Sequence, residues 1–201
     1  MSSEAFKIID LYERHATDWD KDRERCLFEK PWLDRFLSLI PPGGSILDMG
    51  CGSGEPIARF FIEHGYEVTG ADSSPSLIGI CNSRFPMQHW NVADMRGLHL
   101  NQRFDGIIAW DSFFHLCPED QRRMFPVFQE HSAPNAALMF TSGTSQGEAI
   151  GEYRGEPLYH GSLDTMEYRE LLHISGFEIV SHVERDVGCG LRTIWLAHLR
   201  K

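Results

Sequence analysis

With 201 residues, 42% of them apolar and 24% charged, the chain has the size and composition of one globular domain, which excludes collagen-like, low-complexity and largely disordered readings. A formal net charge of −10 disfavours a duplex nucleic-acid binder, which normally presents a basic surface. No apolar stretch approaches the roughly 18–20 residues of a membrane span, and the polar residues 1–10 do not read as a secretory leader. The five cysteines (Cys26, Cys51, Cys81, Cys117 and Cys189) are odd in number, widely spaced and free of any CxxC, so the expected compartment is the reducing cytoplasm.

Residues 1–41 read as a mostly helical segment ahead of the first strand. The run 45–49 is a short apolar strand that ends at glycines, and 55–64 follows as a helix with Ile57, Ala58, Phe60 and Phe61 on one face. A second strand is expected over 66–71. Ser74 then caps a helix to about Phe85, with Pro75 at its first position. Further strands are expected over 87–91, 104–110 and 136–141. A helix opens between the last two at Pro118, where Glu119 and Asp120 suit the positive end of its dipole. The glycine-rich stretch 143–161 reads as an irregular loop. Asp164 and Glu167 predict a capping box, and Gly176 ends that helix. The strands 177–184 and 191–199 lie too close together for a crossover helix and must pair as an antiparallel hairpin. Alternating strands and helices closed by such a hairpin imply an α/β fold with a parallel sheet covered on both faces.

The chemistry concentrates after the strands. Asp48-Met49-Gly50-Cys51-Gly52-Ser53-Gly54 joins the first strand to its helix with G-x-G-x-G spacing, one residue short of the dinucleotide fingerprint. Taken alone, such a loop is only a tight turn. Asp72, with Ser73 beside it, follows the second strand, where an acid accepts hydrogen bonds from ribose hydroxyls or simply stabilises the next helix. Asp94 and Met95 follow the third strand, where they can meet a base edge and face or merely form a turn. Successive strand ends thus offer one nucleoside three contacts.

With these residues in place, the chain resembles the class I S-adenosylmethionine-dependent methyltransferases. The resemblance runs from about residue 45 to the end and more loosely over the N-terminal helices. It rests on Ile46-Leu47-Asp48-Met49-Gly50-Cys51-Gly52-Ser53-Gly54, Val68-Thr69-Gly70-Ala71-Asp72, Ala93-Asp94-Met95, and Phe104-Asp105-Gly106-Ile107-Ile108-Ala109-Trp110. It implies a three-layer, doubly wound Rossmann-like sheet of seven strands, order 3-2-1-4-5-7-6, with strand 7 antiparallel. It also implies S-adenosylmethionine held by Asp48, Gly50, Cys51, Gly52, Gly54, Asp72, Ser73, Asp94, Met95 and Trp110. After the fourth strand stands Asp111-Ser112-Phe113-Phe114-His115, without the prolines of nucleobase amino methyltransferases, so a small-molecule acceptor is expected instead.

Methyl transfer from a sulfonium needs proximity first. A general base is needed only for an acceptor that arrives protonated. Asp111 and His115 are the candidate catalytic groups, although His115 can equally pack at the start of its helix. Tyr12, Trp19, Phe114, Glu148, Tyr153 and His160 are candidates for the acceptor site, with Tyr12 and Trp19 expected on one helix face. The run 18–25 reads as a solvated charged face. Cys51 is a small residue in the loop and no nucleophile, and no metal-ligand spacing occurs. One domain spanning 1–201 is expected, acting as a monomer or homodimer. The rival readings are a nicotinamide-dependent oxidoreductase and a non-catalytic module that binds the same cofactor.

Overall fold

The structure, a computed structural model, describes residues 3–200. A 3-10 helix (Ser3–Lys7) and three short α-helices precede the sheet: α1 (Ile8–Arg14), α2 (Ala16–Asp22) and α3 (Lys30–Leu37). Strand and helix then alternate through β1 (Ser45–Met49), α4 (Ile57–Glu63), β2 (Glu67–Asp72), α5 (Pro75–Arg84), β3 (His89–Val92), β4 (Phe104–Ala109), α6 (Pro118–His131) and β5 (Ser132–Ser142). A hairpin of β6 (Gly147–Tyr153) and β7 (Glu156–Ser162) comes next, then α7 (Thr165–Ile174), β8 (Phe177–Asp186) and β9 (Arg192–Leu199).

The main sheet has the order β3-β2-β1-β4-β5-β9-β8. With the separate β6–β7 hairpin set aside, this is the expected 3-2-1-4-5-7-6. The pairs β1–β2, β1–β4, β2–β3 and β4–β5 are parallel. β9 runs antiparallel to both β5 and β8. The central strands read as apolar runs because helices cover both faces, leaving β1 and β4 buried almost throughout. On one side Met124, Phe125 and Phe128 of α6 and Tyr168 and Leu172 of α7 pack with Phe140 and Trp195. On the other, Trp32 and Phe36 of α3 meet Phe60 and Phe61 of α4 over Ile46 and Ile108. No described helix is long and apolar enough to cross a membrane.

Ser74 caps α5 as expected, accepting from Leu77 N at 3.1 Å. The capping box on α7 forms by half. Asp164 accepts from Met166 N at 2.8 Å, whereas Glu167 turns away to pair with Arg122 of α6 at 2.6 Å. The irregular loop expected over 143–161 is instead the β6–β7 hairpin, paired from Gly147↔Ser162 to Tyr153↔Glu156. Its two-residue turn is Arg154-Gly155, both at positive φ (+52° and +81°), the geometry that matches strand twist in tight hairpins. Because β6 is exposed nearly throughout, it carries no alternation by which to read a strand. Buried Gln121 ties the hairpin root to α6 by donating to Leu116 O and Gly161 O, both at 2.9 Å.

Two glycines give opposite expectations. Gly106 on β4 leaves no room, since a Cβ there would lie 2.3 Å from Ile40 Cδ1 and 2.7 Å from Phe36 Cζ. Gly79, exposed on α5, has nothing within 4 Å of such a Cβ. In urea denaturation, Gly106→Ala should lose about 1–3 kcal/mol to overpacking. Gly79→Ala should gain about 0.5–1 kcal/mol from helix propensity.

Candidate functional site

The carboxyl ends of β1 to β4 open into one elongated cavity. Its floor carries Gly50 and Gly52 after β1, Ala71, Asp72 and Ser73 at the end of β2, Ala93, Asp94 and Met95 after β3, and Asp111 and Ser112 after β4. Phe6, Ile8, Ile9, Tyr12 and Trp19 from the N-terminal helices roof it. The loop is held from β2: Gly50 N and Cys51 N donate to Ala71 O, and Gly52 N donates to Asp72 Oδ2 at 3.0 Å. Gly50 must be glycine, with φ +76° and its missing Cβ only 2.3 Å from Ser112 Cβ. Asp72 Oδ1 also accepts from Ser74 N at 2.9 Å. A carboxylate has about four acceptor sites, so capacity for hydroxyl donors remains.

The charges in this cavity favour a cation. Burial, reinforced by the neighbouring Asp72, pushes Asp48 up to about 7, against a weaker pull from Arg23. Burial also raises Asp72, despite the backbone hydrogen bonds it accepts. The lining has one cation among the described residues, Arg96, and it is already held by Asp94 through Nε (2.9 and 3.0 Å) and by Asp120 at 3.1 Å. Burial drives the Asp94 carboxyl upward, but the Arg96 hydrogen bonds outweigh it and leave Asp94 below its ordinary range. A pyrophosphate would find no free counterion here. A sulfonium with a ribose and an ammonium group suits these acceptors, so the lining fits S-adenosylmethionine.

A second, more open cavity adjoins the first and shares four residues with it: Tyr12, Trp19, Asp111 and His115. Phe114, Glu148 and His160 line the second cavity, with Ser142, Gln146 and Arg192. At the junction, Tyr12 OH and His115 Nε2 lie 2.8 Å apart, and His115 Nδ1 lies 2.8 Å from Tyr159 O. A carbonyl only accepts, so Nδ1 carries the proton and Nε2 accepts from the Tyr12 hydroxyl. Burial lowers His115 to about 4, so the ring is neutral near pH 7. Burial, with Asp111 and Asp72 close by, raises the Tyr12 phenol. Asp111 takes a fork of hydrogen bonds from Arg192, with Nε at 2.8 and 2.9 Å and Nη2 at 2.6 Å. The backbone of Asp111 is left-handed, φ +50°.

Other expected site residues fall elsewhere. Trp110 is buried against the α3–α4 side and lines neither cavity. Cys51 lies beneath the loop with Cys81 and Trp90. Gly54 faces the Phe85 ring, and Asp48 sits under the floor. Tyr153 lines neither cavity: its ring packs edge-on to Trp19 at 5.6 Å and its hydroxyl donates to Asp22 at 3.0 Å. Tyr12 and Trp19 stand on two helices broken at His15, yet their rings meet edge-on at 5.1 Å.

The run 18–25 is not merely solvated. Asp20 pairs with Arg84 at 2.8 Å, Asp22 with Arg154 at 2.9 Å, and Arg23 with buried Glu29 at 2.7 Å. Sequence reasoning missed Arg23, which faces Asp48, and Glu13, which anchors α1 by accepting from Ser76 Oγ (2.6 Å) and Ser76 N (3.1 Å). Neither had a readable signal: the partners of Glu13 lie 61 and 63 residues away, at the start of α5.

The profile of a family described as "Methyltransferase domain" matches residues 19–182. An O-methyltransferase of Pyrenophora dematioidea is 26% identical over 169 residues, covering 78% of this chain and 62% of that protein. The dTDP-4-amino-2,3,4,6-tetradeoxy-D-glucose N,N-dimethyltransferase of Saccharopolyspora spinosa is 29% identical over 125 residues, covering 61% of this chain and 50% of the relative. This chain thus spans less than two thirds of either curated relative. Among solved structures, the Burkholderia thailandensis 1,6-didemethyltoxoflavin-N1-methyltransferase, with S-adenosylhomocysteine bound, superposes with a TM-score of 0.73 at 16% identity over 100% of this chain and 92% of its own.

The raised Asp48 pKa has a sign that can be checked. A carboxyl whose folded pKa exceeds its unfolded 3.8 binds an extra proton in the native state, so its contribution to stability falls as pH rises from about 4 to about 7 and is level above. With no cofactor added, the stability advantage of Asp48→Asn over the wild type should grow across that window and then plateau. Urea melts at fixed ionic strength measure it.

Proposed function

The chain belongs to the class I methyltransferase-domain family, and from that premise we propose that it moves a methyl group from S-adenosylmethionine to a nitrogen or oxygen of a small polar acceptor. The observation that carries this reading is the junction, where two cavities meet at Tyr12, Trp19, Asp111 and His115. In-line displacement requires a donor on one side and an acceptor on the other, facing across one methyl group.

On this reading Asp72 receives the ribose hydroxyls, Asp94 and Met95 meet the adenine, and the backbone at Gly50 and Gly52 lies along the methionine part. Asp48 beneath the loop adds negative potential on the side of the ammonium group. The cofactor, when bound, supplies a methyl group already activated by its sulfonium. The protein's part is orientation and dryness, which can supply about 7–11 kcal/mol of the barrier. Tyr12 and Trp19 close over the cofactor, and their ring faces suit a neighbouring cation. His115 holds the Tyr12 hydroxyl at the junction. Asp111, fixed by Arg192, positions the turn that carries His115.

The relatives' own activities, on oxygen in the Pyrenophora protein and on an amino-sugar nitrogen in the Saccharopolyspora protein, support both atom types. We place the protein in the cytoplasm as one domain, monomeric or homodimeric. The net charge of −10 supports a partner other than nucleic acid.

Calorimetric titration with S-adenosylmethionine, S-adenosylhomocysteine and NAD tests the reading. Micromolar binding of the first two with none of NAD is expected; binding of NAD alone overturns it. Asp72→Ala, verified as folded by circular dichroism, should bind S-adenosylmethionine about 10–100-fold more weakly, since it loses charge-assisted hydrogen bonds.

A further inference from the structure

Resting on that methyl-transfer reading, we infer that the acceptor atom is an amine nitrogen, carried on a polar molecule that approaches the junction in its ammonium form. The reason is what the junction holds and what it lacks. His115 Nε2 already accepts from the Tyr12 hydroxyl at 2.8 Å, and the Tyr159 carbonyl fixes the ring in that tautomer. Burial makes this imidazole a weak base as well. The Asp111 carboxylate is neutralised and oriented by three short contacts from Arg192, and its own N–H is held by Thr141 Oγ1 at 2.9 Å. Both of these junction acceptors are thus committed to protein partners, while the other acceptors of the second cavity, Glu148 and His160, belong to the β6–β7 hairpin that forms its wall.

A carboxylate acceptor needs no base but does need a cation. Arg192 is the one guanidinium among the described lining residues of the second cavity, and Asp111 already neutralises it. Glu148 then leaves this wall net negative, because burial keeps His160 uncharged near pH 7. An ammonium is drawn to such a wall, and the aromatic rings at the junction accommodate it.

The chemistry balances without a protein base. The ammonium gives its proton to water in the open cavity. The nitrogen lone pair then forms the N–C bond while the C–S electron pair returns to sulfur. The positive charge passes from sulfur to the N-methylammonium, which releases its proton to solvent.

The test supplies the full chain with S-adenosylmethionine bearing a trideuteriomethyl group and the small-molecule fraction of a bacterial extract. Mass spectrometry then locates the label. Label on nitrogen, in a product that survives mild alkali, supports the inference. Label on a hydroxyl oxygen or as an alkali-labile ester overturns it, and so does an extract without any labelled amine when calorimetry shows that S-adenosylmethionine binds. Failure of that binding falls instead on the methyl-transfer reading. With the labelled amine as substrate, Glu148→Lys should raise KM on the order of 5–10-fold by reversing one exposed charge at the wall, with Glu148→Asp near the wild type. An unchanged KM in Glu148→Lys overturns recognition of the ammonium form.

Discussion

The site depends on where the Asp72 carboxylate stands. One oxygen takes the Gly52 N–H at 3.0 Å and the other the Ser74 N–H at 2.9 Å, so a single side chain at the end of β2 joins the glycine loop of β1 to the start of α5. Ser74 in turn caps α5, and Glu13 brings α1 onto that same helix end. Floor and roof of the cavity are thereby referenced to one point. Burial raises this carboxyl, so the arrangement carries an electrostatic cost that a positively charged, hydroxyl-bearing ligand relieves. Catalytic groups would otherwise need independent positioning. Here the sheet supplies it through four neighbouring strand ends.

Much of this was legible in the sequence for a definite physical reason. Parallel strands buried on both faces must be apolar runs, and the loops after them must hold the polar residues, so 45–54, 68–72 and 93–95 announced both fold and cofactor side. The short connection before β9 forced an antiparallel ending. The hairpin at 147–162 was hidden because β6 faces solvent and its turn uses Arg154-Gly155 in place of the commoner Asn-Gly. Its glycines read as irregularity when they were strand residues.

The candidate site was legible in composition but not in geometry. His115 and Tyr12 stand 103 residues apart and share a hydrogen bond that no spacing rule encodes. Asp111 looked like a free carboxylate because its partner, Arg192, lies 81 residues downstream on β9. Trp110 sits next to Asp111 in sequence, but the chain has left β4 and turns through a left-handed Asp111, so the two side chains part and the indole enters the core. The acids and bases of 18–25 looked solvated because their partners, Arg84 and Arg154, come from α5 and the hairpin turn.

That last clasp has a consequence for access to both cavities. The hairpin turn grips α2 by the Arg154–Asp22 and Tyr153–Asp22 contacts, 132 and 131 residues apart in sequence, while Glu156 on β7 holds Arg14 and His15. Tyr12 and Trp19 line both cavities, so lifting the α1–α2 segment opens the two together. The Arg154–Asp22 and Arg14–Glu156 pairs of this clasp are exposed, each worth about 0–1 kcal/mol and weakened by salt. Ionic strength should therefore set how firmly the α1–α2 segment stays closed over the two cavities.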